Sequence, residues 1–220
     1  MTAAEVVQSY ADRALNDSSL ELDDSIVKRS MDIISAQFPG MLNGLQDPLL
    51  PLVQSCVGSG GFRFGNNGRV AQIHHCAQQQ HWILSCELRQ QVDHSRAQLG
   101  EVAVFDSLRQ STALANPSIR NNLFSIAYGP HSSADSLQVV KRAAQVQHGS
   151  TQCGDFCVAW LVAFAFGDDL DTISQSAFDQ TRMRTHLRQC LALGRFERFP
   201  IAPSRESVEF SSHAVVNLSR

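Results

Sequence analysis

Apolar and polar positions follow two different periods along the chain, and the switches between them outline the expected elements. After "LELDD", Val27, Met31, Ile34 and Phe38 recur at three- and four-residue steps. That spacing predicts a helix capped by Asp23 or Asp24 and stopped by Pro39 and Gly40. "GLQDPLLPLV" then reads as a loop. Three short stretches rich in β-branched and aromatic residues, "RVAQI" around 70–73, "HWILSC" over 81–86 and "EVAVF" over 101–105, predict strands. Asn116 and Pro117 form a cap and first-turn pair for a helix carrying Ile119, Leu123 and Ile126, with Gly129 after it. "LQVVKRAAQVQ" returns to extended chain. The most apolar run, "VAWLVAFAF" over 158–166, predicts a buried helix. A last amphipathic helix presents Met183, Leu187, Cys190 and Leu191 on one face, and an irregular tail is expected from Arg195 onward.

This order of helix, sheet, helix, strand, helix and helix predicts an α+β fold with a central apolar helix packed on the sheet. No repeat or low-complexity segment divides the chain, so a single domain is expected. Composition agrees: with 43% hydrophobic and 18% charged residues, 220 residues can bury a sizeable core. Eighteen basic against 21 acidic residues, a net charge of −3 and no lysine or arginine cluster argue against nucleic-acid binding. The longest apolar run falls far short of the roughly 20 residues that cross a bilayer, so no membrane association is expected. "MTAAEVVQSYADRALNDSS" lacks the basic and apolar regions of a secretory signal, and six irregularly spaced cysteines read as reduced thiols. An intracellular protein, nuclear or cytoplasmic, is the expectation.

Candidate chemistry centres on "QHGSTQCGDFC", in which Cys153 directly precedes the apolar helix. Only the thiolate of a cysteine is nucleophilic, and a helix N-terminus, with its unpaired N–H groups and macrodipole, favours that negative charge. Gly154 reads as a residue that lets a substrate's backbone approach the sulfur, since a purely structural helix start has no special need of glycine. Taken by position alone, most such cysteines merely begin a buried helix, and Cys157, one turn further on, is read as packing. A nucleophile also needs a base. His81 opens the strand "HWILSC", a rigid mount for an imidazole, and Asp106 ends the strand "EVAVF", where its carboxylate could orient the ring. Gln147 offers a side-chain amide that could donate to an oxyanion at Cys153.

Taken together, His81-Trp82, Asp106, and Gln147 followed by Cys153-Gly154 resemble the pattern of the ubiquitin-like-protein-specific cysteine proteases. This is the papain-like family of the SUMO and NEDD8 proteases, related to the adenovirus processing protease. The resemblance runs from about "LELDDSIV" to the end of the buried helix. It implies a papain-like fold, a catalytic domain over 20–199 between an N-terminal extension (1–19) and a C-terminal tail (200–220), and no cofactor. It also implies His81 as general base, Asp106 as its orienter, Cys153 as nucleophile and Gln147 as oxyanion donor. The implied reaction is hydrolysis, through a thioester, of the bond after the C-terminal glycine of a SUMO- or NEDD8-like modifier. Trp82 and Gly154 would contact substrate, with Trp82 covering a narrow channel for a Gly-Gly tail. One departure stands at the front. The family commonly carries Trp-Leu-Asn-Asp there, whereas this chain reads "ELDD", with Glu21 in place of the tryptophan. Phe62 or Phe64 of "GGFRFGNNGR", a loop read as lying over the site, could substitute.

Four other readings compete. The same fold and triad could process a polyprotein, as in viral or mobile-element proteases, or transfer an acetyl group, although no basic cofactor surface is evident. A catalytically silent domain could merely bind a ubiquitin-like protein. His74, His75, Cys76, His81 and Cys86 could hold structural zinc, but they lack a Cys-x2-Cys knuckle.

Overall fold

A computed structural model describes residues 3–49, 69–88, 101–128 and 134–219. Its elements follow in the order α1 (Ala3–Asn16), α2 (Asp24–Gln37), β1 (Leu42–Gly44), β2 (Arg69–Cys76), β3 (His81–Leu88) and β4 (Glu101–Phe105). Then come α3 (Pro117–Tyr128), β5 (Ser136–Lys141), α4 (Cys153–Ala165), α5 (Leu170–Gln175), α6 (Gln180–Leu193) and β6 (Ala214–Ser219). The six strands form one mixed sheet in chain order, parallel at β1–β2 and β4–β5 and antiparallel elsewhere. The fold is α+β, with α4 as its central helix.

Strand periodicity explains how the sheet is covered. Trp82, Leu84 and Cys86 of β3, with Ala103 and Phe105 of β4, join the core around α4. Ile83, Val102 and Val104, the alternate residues, join a second core under α3. Because both faces are buried, these strands read as nearly continuous apolar runs rather than as alternating ones. Every residue of α4 is buried, which accounts for the lack of a polar face in its sequence. Helices α2 and α6 pack on its other sides, contributing Val27, Met31, Ile34, Met183, Leu187, Cys190 and Leu191.

The helix starts follow the expected cap chemistry. Asp23 accepts from Ser25 N at the start of α2, and Asn116 Oδ1 accepts from Ser118 N and Ile119 N at the start of α3. Helix α6 begins after the cap Asp179 and ends at Gly194, whose φ of +66° is the left-handed stop that glycine favours.

One part of the sequence reading is corrected and two elements are added to it. The tail does not stay irregular, because β6 pairs antiparallel with β5 from Ser136↔Ser219 to Lys141↔Ala214. Ahead of "LELDD", the extension forms α1, whose Ala11 and Ala14 enter the main core. Leu42–Gly44 adds an edge strand that ends at the first residue of the expected loop. It escapes a pattern search because it has three residues and one of them is glycine. Phe62, Phe64 and most of "GGFRFGNNGR" lie outside the described residues, as does Gly129.

Candidate active site

The β2–β3 hairpin sets His81. Cys76 pairs with His81 across a four-residue turn, 77–80, in which Gln80 adopts φ +48°. Strand β4 runs antiparallel to β3 with Leu84 opposite Phe105, so the end of β4 lies beside the start of β3. Asp106, the next residue, thereby reaches the ring: His81 Nε2 is 2.7 Å from Asp106 Oδ1. The same oxygen accepts from Leu108 N at 2.9 Å, which fixes the carboxylate. Both side chains are buried.

The other ring nitrogen, Nδ1, is buried and has no well-formed hydrogen bond among the described residues. Cys153, the first residue of α4, is nevertheless close enough to act on the imidazole. Burial works against a charge on His81, but hydrogen bonding and charge from Asp106 and Cys153 outweigh it and push the imidazole up to about 9. Protonated His81 is therefore favoured at neutral pH. The N-cap of α4, Gln152, makes no side-chain cap bond, which leaves the helix N-terminus to act on whatever lies before it. Two further thiols behave differently. Burial pushes Cys86 up to about 12 and Cys157 well above the ordinary range, which keeps both neutral and unreactive.

Gln147 lies in the loop leading to Cys153. Its Oε1 accepts from Ser107 Oγ at 2.6 Å and its Nε2 donates to the Gly149 carbonyl at 3.0 Å. The carbonyl can only accept, so the amide nitrogen must face it. That nitrogen carries two hydrogens, and the second remains for another acceptor. Gly149 itself takes φ +85°, the left-handed region that glycine adopts without strain.

Gly154 meets a packing demand besides the one expected. A Cβ built there would sit 3.0 Å from Cβ and Cδ1 of Leu22, in the segment before α2. An added methyl would make Leu22 yield, so glycine here lets Leu22 close onto the helix start, and a structural helix start does have a use for it. Trp82 is buried in the main core and tilts against His75, its cross-strand partner, with ring centroids 4.4 Å apart.

Residues beyond the expected set hold this arrangement. Asp155, two positions after Cys153 and fully buried, receives Arg184 Nε at 2.8 Å and Nη2 at 2.7 Å. Arg184 also donates to the carbonyls of Ala14, Asp17, Leu20 and Thr151, tying the α1–α2 connection to the start of α4. The same connection carries Glu21, which is partly buried and within electrostatic reach of His81. Burial raises the Glu21 carboxyl, and His81 opposes that rise. Ser107 and Arg184 had no motif to reveal them. Asp155 did offer a signal, since an acid inside the most apolar run requires a buried partner.

The histidine-rich stretch does not assemble into a metal site: among the described residues, no three His, Cys, Asp or Glu could hold an ion. His74 Nε2 bonds instead to Ser85 Oγ at 2.7 Å, and burial pushes its pKa down to about 3. No described helix is long and apolar enough to cross a membrane.

No protein-family profile and no curated protein sequence matches the chain. Solved structures do. The fold is similar to the crystal structure of a de-sumoylating protease, with TM-score 0.58 and 12% identity over 84% of this chain and 85% of that one. A mutant of Xanthomonas XopD aligns with TM-score 0.48 and 16% identity over 79% of this chain and 99% of that one. The SUMO protease Ulp1, with its catalytic cysteine oxidised to a sulfenic acid, aligns at 0.48 and 14% over 79% and 78%. At such identities the likeness is one of fold, and the first of the three carries it: this chain shares the mixed α+β architecture of the de-sumoylating protease.

Proposed function

We propose that the protein is a cysteine peptidase that hydrolyses the bond after the C-terminal glycine of a SUMO- or NEDD8-like modifier. The observation that carries this reading is the buried His81–Asp106 pair, on whose imidazole Cys153, at a helix N-terminus, acts as the second neighbour. The shared fold of a de-sumoylating protease supports it.

In this reading the Cys153 thiolate attacks the carbonyl carbon of the scissile bond. The resulting oxyanion takes a hydrogen bond from Gln147 Nε2, whose orientation Ser107 sets. His81, protonated in the resting pair, gives its proton to the leaving amine as the carbon–nitrogen bond breaks and a thioester forms. Water then loses a proton to His81 and attacks the thioester, releasing the carboxylate and the thiolate. Asp106 stabilises the imidazolium throughout without accepting its proton.

Glu21 favours a second reading in which the substrate is a polyprotein. A carboxylate near His81, where the family carries a channel-forming tryptophan, would not stack on a Gly-Gly tail. The experiment that tests both is incubation with SUMO, NEDD8 and ubiquitin probes bearing C-terminal electrophiles, alongside Cys153→Ala. An adduct absent in the variant supports the modifier reading and names its class. If a small thiol reagent labels Cys153 but no probe does, the endopeptidase is supported; a Cys153 that no reagent labels defeats both.

A further inference from the structure

A glutamine outside the catalytic set fastens the loop between the two groups that act on the substrate carbonyl. Gln180, the first residue of α6, accepts from His148 N at 2.9 Å through its Oε1 and donates to the His148 carbonyl at 2.7 Å through its Nε2. The second Nε2 hydrogen goes to Gln152 Oε1. One side chain thus holds both ends of the loop 148–152, immediately after Gln147 and immediately before Cys153. Three residues earlier on one segment and two on the other the arrangement is mirrored, since Gln145 accepts from Phe178 N at 2.6 Å and donates to the Phe178 carbonyl at 3.0 Å. Each glutamine amide imitates a peptide group, so segments 145–148 and 178–180 are laced together as a strand pair would be, without being strands. All the donors and acceptors of the Gln180 amide named here are used.

We infer that Gln180 is a positioning residue: it acts through the His148 peptide to hold Gln147 at the distance from Cys153 that an oxyanion requires. The inference rests on the proposed reading of Cys153 as nucleophile and Gln147 as oxyanion donor. The physical demand is tight, because oxyanion donors must lie about 2.7–3.1 Å from the developing charge and a misplacement of about 1 Å can cost on the order of a hundredfold. Gln147 has a side chain fixed by Ser107 and Gly149, but the carbonyl of Gly149 belongs to the same loop. If the loop shifts, the amide shifts with it.

The test compares two reactions at one sulfur. Acylation of Cys153 by p-nitrophenyl acetate passes through a tetrahedral oxyanion; alkylation by iodoacetamide displaces iodide and forms none. Gln180→Glu keeps the acceptor for His148 N but sets a carboxylate against the His148 carbonyl and Gln152 Oε1, and Gln180→Met removes both functions. Each variant is expected to slow acylation about tenfold or more while alkylation stays within about twofold of the parent. Unchanged acylation overturns the inference. So does a parallel fall in both rates, which would show a general loosening of the helix start. A parent protein acylated no faster than Cys153→Ala would remove the reading beneath it, a result distinguishable from the other two because it appears before any change at Gln180.

Discussion

His81 Nε2 lies 2.7 Å from Asp106 Oδ1, and the pair is shut away from solvent. Asp106→Asn tests what the carboxylate contributes. Asparagine keeps Oδ1, hence the acceptor for Leu108 N, so the fold is expected to survive. The negative charge is lost, and burial, which opposes a charge on the ring, gains the upper hand. Turnover is expected to fall about a hundredfold or more. The parent's activity should decline as pH rises through about 9 as the imidazolium is lost; in the variant that decline moves to lower pH. Stability changes in the same direction. A raised histidine stabilises the fold fully below its unfolded value of about 6.5, and this contribution disappears as pH rises through about 9. Thermal midpoints across that window should therefore slope less in the variant. An Asp106→Asn enzyme with parental turnover would refute the assignment.

Arg184→Met should be costly to the fold. It strands the fully buried Asp155 carboxylate and removes the Arg184 donor from the carbonyls of Ala14 and Leu20. Loss of one partner of a buried pair costs about 3–5 kcal/mol. Asp155→Leu combined with Arg184→Met should recover part of this, because no buried charge remains. Urea denaturation of the two single variants and the double variant measures the coupling. Additive losses would mean that the pair is not an energetic unit.

Much of this site was legible before any coordinates, and the boundary of what was legible is physical. His81 and Asp106 are legible because one opens and the other directly follows a strand whose apolar composition is local, and antiparallel pairing of neighbours then brings those ends together. Cys153 announced itself by the abrupt change from polar to apolar chain. The contacts that tie the loop 148–152 down could not be read, since Gln180 reaches His148 and Arg184 reaches the Thr151 carbonyl across about thirty residues of intervening sequence, and both belong to no motif. Strand β6 was missed for a related reason. Its residues are mostly exposed at a sheet edge, so its sequence lacks the apolar alternation that marks a half-buried strand. The packing of Gly154 is not legible in sequence because its neighbour, Leu22, comes from a segment more than a hundred residues earlier in the chain.

Gly154→Ala separates packing from substrate approach. Alanine is the better helix former by about 1 kcal/mol, but its methyl would press on Leu22 at 3.0 Å, and overpacking a tight core costs about 1–3 kcal/mol. A net loss of stability on the order of 1 kcal/mol is expected, and Leu22→Ala in the same chain should make the alanine at 154 neutral or favourable. Thermal unfolding of the four proteins in the cycle gives the answer. A variant with unchanged stability but a raised KM would instead return Gly154 to the substrate.

Glu21 carries a stability cost that its substitution should reveal. Burial raises its carboxyl, so below the ordinary carboxylate value both states are protonated, and above it the unfolded chain releases its proton more readily than the folded one. The folded state binds more protons, and stability therefore falls as pH rises through this range. Glu21→Gln should remove that cost, leaving the protein at least as stable as the parent at pH 7 and equal to it near pH 3. Its effect on His81 runs the other way. The negative charge near the ring favours the imidazolium, so the variant's activity should begin to fall at lower pH than the parent's. Paired measurement of thermal midpoints and pH–rate profiles would show a residue that destabilises the fold while supporting the charge on His81. If neither profile moves, Glu21 does not communicate with His81, and the argument that it shapes substrate choice at this site fails with it.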